Sequence, residues 1–175
     1  MEKVQILLYA LASFFSTENL PIVAKSAKIE INSVTKQIIL HQNDIITIPQ
    51  YDDKVSLALE NILKTQAFVE DLEPLTLTSK HFHEDDGKLN ATIYFQYKEL
   101  SDLRAISMYL NADKNTLSYP FMDSFEYTAP DAVFDERFLR FKVEDKISFE
   151  MAMKARPELQ NTVSLLSDWK KVRTC

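Results

Sequence analysis

The chain has 175 residues, with 46% hydrophobic and 26% charged side chains, and its 20 Lys and Arg against 26 Asp and Glu leave a formal charge of −6. That length suits one globular domain with a sizeable core, and the composition is neither that of a disordered chain nor that of a membrane-spanning one. No run of Lys or Arg interrupts the acidic balance, which argues against nucleic acid as a partner, because such affinity comes from clustered cations displacing counterions.

Residues 4–15, VQILLYALASFF, form a mostly apolar run too short to span a bilayer. It suits either a signal-peptide core or a first buried helix with Val4, Leu7, Leu8, Leu11, Phe14 and Phe15 inward. Small residues at Ala10 and Ala12, or at Ala24 and Ser26, offer cleavage positions, whereas the flank Met1-Glu2-Lys3 lacks the usual positive excess. We take residues 1–26 as a leader or first helix and 27–175 as the folded domain. Export to a periplasmic or extracellular space is preferred over a cytoplasmic location.

Lys28–Asn32 alternates polar and apolar residues, and Lys36–Ile48 is rich in β-branched ones, with turn chemistry at Asn32-Ser33 between them. This predicts a β-hairpin. Asp52 and Asp53 cap a predicted helix that runs to about residue 66 with Val55, Leu59, Ile62 and Leu63 on one face. A second hairpin follows. Leu89, Ala91, Ile93, Phe95 and Tyr97 recur every second residue, which marks a strand with one face buried. The preceding strand presents Leu75, Leu77, Ser79, His81 and His83 with the opposite parity. Only a three-residue loop, Asp85-Asp86-Gly87, then places both apolar rows on one face, pairing Leu77 with Phe95, His81 with Ala91 and His83 with Leu89. Gly87, the one glycine of the chain, falls where such a loop needs a left-handed residue.

Lys98–Arg104 reads as a turn or two of helix. Alternation resumes over Ala105–Asn111 and Thr116–Tyr119 as a third hairpin. Residues 119–134 have no clear period and are rich in aromatics and prolines. Arg137–Val143 and Lys146–Met153 read as a fourth hairpin turning at Glu144-Asp145. Pro157 starts a last helix with Leu159, Val163, Leu166, Trp169 and Val172 on its face. The predicted fold is a single α+β domain: one mainly antiparallel twisted sheet of about eight strands in sequential hairpins, packed by two to three amphipathic helices.

Absent residues bound the chemistry. A single glycine, already required in a turn, excludes a Walker A loop, a dinucleotide fingerprint and a nucleophile elbow. The one cysteine, Cys175, excludes an internal disulfide and a cysteine zinc site. No cofactor is expected. Two functions remain. The favoured one is a non-catalytic binding or accessory protein that contacts a protein or other ligand through the aromatic, acidic segment 119–134. Its contact residues would be Tyr119, Phe121, Phe125 and Tyr127, with Asp123 and Glu126 suiting a basic partner. The alternative is a small metal-dependent hydrolase built on His81 and His83, with the third ligand from elsewhere, His41 being the only other imidazole.

Overall fold

The computed structural model describes residues 22–47, 59–60, 63, 72–155 and 161–173. The apolar run at 4–15, most of the helix expected over 52–66, and Pro157 and Leu159 lie outside the described residues. Of that helix, Leu59 is helical and wholly buried, and Leu63 packs against the core.

The protein is mostly β, with two antiparallel sheets and two short helices among the described residues, which corrects the predicted single sheet packed by two to three helices. Its strands are β1 (Ile22–Asn32), β2 (Gln37–Thr47), β3 (Thr76–Asp85), β4 (Lys88–Gln96), β5 (Tyr109–Asn111), β6 (Thr116–Pro120), β7 (Phe125–Thr128), β8 (Ala132–Asp135), β9 (Phe138–Lys142), β10 (Lys146–Met153) and β11 (Val163–Ser164). The larger sheet runs β3-β4-β2-β1-β10-β7, with β11 pairing the far end of β2, and the smaller runs β5-β6-β9-β8. Besides the helical residues 59, 60 and 63, the helices are a 3₁₀ helix, Leu100–Ile106, and α1, Leu166–Arg173.

The expected fourth hairpin does not form, and this divides the sheet. Strand β9 pairs with β6 and β8, whereas β10 pairs with β1 and β7. Both strands do alternate, with Leu139 and Phe141 buried on one and Ile147, Phe149 and Met151 on the other. Those rows face each other across the space between the sheets instead of lying side by side. Phe149 meets Phe141 with ring centroids 5.3 Å apart and Tyr119 at 4.8 Å. The two inner faces thus share one core, as in other stacked antiparallel sheets.

The first hairpin forms as expected and is longer, its first strand reaching back to Ile22. Asn32 makes its turn by accepting hydrogen bonds on Oδ1 from the N–H groups of Val34 and Thr35, at 3.0 and 2.9 Å, as turn asparagines do. Between Ala105 and Asn111 only the last three residues are strand, because the 3₁₀ helix continues to Ile106 and Ser107 ends it in the left-handed region at φ 60°. The Asp102 carboxylate accepts hydrogen bonds from the N–H groups of Glu99 and Lys98 at that helix start, and these hold its pKa below the usual value. The last helix is shorter than expected: Val163 is in a strand beside β2, and the helix starts at Leu166.

The second hairpin carries the most specific expectation and departs from it instructively. Leu77 does face Phe95, but the connection is a two-residue turn, with Asp85 opposite Lys88, His83 opposite Asn90 and His81 opposite Thr92. The register shifts between Leu77 and Ser79, so Thr78 is the extra residue of a β-bulge. Apolar rows with conflicting parity need one extra residue somewhere, and the chain places it inside β3 instead of in the loop. Both turn residues have positive φ, Asp86 at 48° and Gly87 at 69°, as the primed turns of two-residue hairpins require. A Cβ built on Gly87 meets nothing within 4 Å. Gly87→Ala is therefore expected to cost only the left-handed backbone penalty, about 1 kcal/mol, read as a lower urea midpoint at unchanged slope.

Candidate functional site

Segment 119–136 leaves the small sheet at β6, enters the large sheet as β7 and returns as β8. It crosses between the two layers twice, which explains its lack of a sequence period. Its aromatic rings form a chain from the core to the surface. Tyr119 lies against Phe149 and, at 6.4 Å, against Tyr127; Tyr127 stacks on Phe121 at 5.0 Å; Phe121 meets the edge of Phe134 at 6.3 Å.

The residues expected to make contacts therefore divide. Tyr119 and Phe125 are buried and unavailable to a partner, Phe121 and Tyr127 are half-buried, and Asp123 and Glu126 are exposed. Burial pushes the Tyr127 hydroxyl up to about 12, although the N–H of Met122 donates to it at 3.3 Å. Burial likewise holds the Tyr119 hydroxyl well above its ordinary value.

Within this segment the large apolar side chains that reach solvent are the neighbours Val133 and Phe134, 67% and 59% exposed; elsewhere Val34, Tyr109 and Val163 are exposed singly. Val133 and Phe134 belong to β8, an edge strand of the small sheet. The short run Ala132-Val-Phe-Asp, bracketed by Pro130-Asp131 and Glu136, carried the signal for that strand in its β-branched and aromatic residues. In the sequence leading up to it the charge is of one sign, while Arg140 stands opposite Val133 on β9. Asp123, Glu126, Asp131, Asp135 and Glu136 stand in a stretch with no Lys or Arg between Lys114 and Arg137. Asp135 pairs with Arg140 of β9; Asp123, Glu126, Asp131 and Glu136 are exposed.

His81 and His83 both project from the exposed side of β3. His81 stands opposite Thr92 with its ring edge-on to Tyr94 at 6.2 Å, and His83 stands opposite Asn90. His41 lies in the same cross-strand row as His81, with Thr92 between them. Two strand spacings, about 10 Å, therefore separate their backbones. His41 is instead 3.4 Å from the Thr92 hydroxyl and 3.8 Å from the Glu30 carboxylate. Among the described residues no three His, Cys, Asp or Glu side chains come close enough to hold a metal ion.

Two open hollows are lined by described residues. One, about 670 Å³, lies between the β3–β4 tip and α1 and is lined by Phe82, His83, Glu84, Trp169, Lys170 and Arg173. There Lys170 pairs with Glu84 at 2.7 Å and the Arg173 guanidinium sits 4.8 Å from the centre of the Trp169 ring. The other, about 570 Å³, lies on the outer face of the small sheet, where Tyr109, Pro120 and Phe138 surround Ser118 and Arg140. No helix among the described residues is long and apolar enough to cross a membrane. Comparisons with protein-family models, with curated proteins and with solved structures find no match.

Proposed function

We propose that the protein is a non-catalytic binding module whose partner is a basic protein segment, held on the surface of β8. The observation that carries this reading is the consecutive exposure of Val133 and Phe134 on an edge strand. Large apolar side chains exposed together on a sheet edge invite association. The surrounding carboxylates select the sign of the partner and steer its approach. Half-buried Phe121 and Tyr127 support Phe134 from behind, giving it the rigid backing typical of an interface anchor. Nucleic acid is repelled by the same carboxylates.

A labelled peptide of alternating lysine and valine, KVKVKVK, tests the reading against its acidic counterpart EVEVEVE in a fluorescence-anisotropy titration. The basic peptide is expected to bind, and the acidic one to bind at least about tenfold more weakly. The pair Val133→Ser and Phe134→Ser should weaken the basic peptide by about tenfold or more, with the circular dichroism spectrum unchanged because both side chains are exposed. Equal binding of the two peptides, or no effect of the double substitution, would remove the reading.

A further inference from the structure

We infer that the partner binds as an added antiparallel β-strand along the free edge of β8; this rests on the binding reading above and specifies its geometry. In the order β5-β6-β9-β8, β8 has β9 as its one strand neighbour. The two strands are joined by the two-residue turn Glu136-Arg137, with Asp135 opposite Phe138, Phe134 opposite Leu139, Val133 opposite Arg140 and Ala132 opposite Phe141. The pair that closes a two-residue turn exchanges both backbone hydrogen bonds, and antiparallel pairs then alternate. Asp135 and Val133 therefore bond to β9, while the N–H and C=O of Phe134 point outward. The carbonyl of Ala132 points outward too, its N–H being already donated to the Ala129 carbonyl at 3.2 Å. An extended guest finds one donor and two acceptors there, in the spacing of a sheet ladder.

A comparison with β3 shows that this edge, though only four residues long, carries fewer of the devices that block pairing. Strand β3 also ends its sheet, but it carries the bulge at Thr78 and a lysine, Lys80, both of which discourage pairing. Strand β8 has no bulge, proline or lysine.

The two faces of β8 select the guest. Val133 and Asp135 share the outer face, and Phe134 lies on the other with Phe121. Asp135 is already paired with Arg140, so the carboxylates left to meet a basic guest residue on the outer face are the exposed Asp131 and Glu136 at the two ends of β8. The matching sequence alternates such a basic residue with an apolar one beside Phe134. A second copy of this chain would set the same five carboxylates of 123–136 against themselves, which like-charge repulsion disfavours.

Backbone N-methylation of KVKVKVK separates strand addition from a simple face contact. The guest residues opposite Phe134 are the valines, and their N–H groups reach its carbonyl, whereas the lysine N–H groups point to solvent. Methylating the valine nitrogens should weaken binding by about tenfold or more, and methylating the lysine nitrogens by no more than about twofold. Equal sensitivity at both sets, or none at either, overturns strand addition while leaving the contact through Val133 and Phe134 intact. Failure of the unmodified peptide to bind counts against the underlying reading itself. A stable dimer in sedimentation, dispersed by Phe134→Ser, would make a second copy the occupant and overturn the basic guest.

Discussion

Replacing Phe149 by alanine is expected to lower the unfolding free energy by about 3 to 5 kcal/mol, the usual cost of emptying a well-packed aromatic site. Phe149 is 1% exposed and lies at the centre of β10, with Ile29 opposite it on β1. Its ring reaches across to Tyr119 of β6 and Phe141 of β9, so the loss falls on the contact between the two sheets. The backbone of β10 is held against collapse into the void, being paired with β1 through Phe149 and with β7 from Glu150 onward. Urea denaturation followed by both far-ultraviolet circular dichroism and tryptophan fluorescence would measure the change. Trp169, the only tryptophan, sits on α1 beside the β3–β4 tip, remote in sequence from the substitution. Coincident transitions with both probes would show that the two sheets unfold as one unit. A loss below about 1 kcal/mol would mean that the sheets do not depend on this ring.

Tyr119→Phe, next to it, carries the opposite sign. The Tyr119 side chain is 0% exposed, yet its hydroxyl has no hydrogen-bond partner among the described residues. An unsatisfied buried hydroxyl costs about 1 to 3 kcal/mol, and deleting one oxygen leaves little cavity because the ring contacts with Phe149 and Tyr127 persist. The substitution is expected to raise stability by about 1 to 2 kcal/mol, seen as a higher urea midpoint at constant slope. A loss of stability would show that the hydroxyl has a partner. Tyr127→Phe is the internal control: that hydroxyl accepts the N–H of Met122, so its removal strands a donor and should not stabilise. Tyr119 and Phe149 touch, so the double variant Tyr119→Phe, Phe149→Ala is not expected to be additive.

Much of the fold was legible where alternation was long. Strands β1, β2 and β4 are sustained alternating or β-branched runs, and the hairpins β1–β2, β3–β4 and β5–β6 follow from them. Leu77 opposite Phe95 was readable too, because only that match buries both apolar rows. Whether the extra residue sat in the loop or in the strand was not, since a third loop residue and a bulge at Thr78 satisfy the same parity. The separation of β9 from β10 was equally hidden. A short connector between two alternating runs fits a hairpin and a crossing between layers alike, and the ring contacts of Phe149 distinguish them only in three dimensions. In the candidate site the difficulty lay in burial. Tyr119 and Phe125 are aromatic residues in an aperiodic stretch, and with no period a sequence does not reveal which side of the chain faces inward. Val133 and Phe134 sit in four residues of strand, too few for an alternating pattern to show that both are open to solvent.

The pairing of β1 with β10 has a kinetic consequence. Ser26–Asn32 bonds to Lys146–Ala152, so a strand near the start of the chain takes its neighbour from more than a hundred residues later. During synthesis β1 and β2 can close their hairpin early, but that side of β1 stays bare until β10 has been made. Such long loop closures are expected to slow folding relative to chains of this size with mostly local pairing.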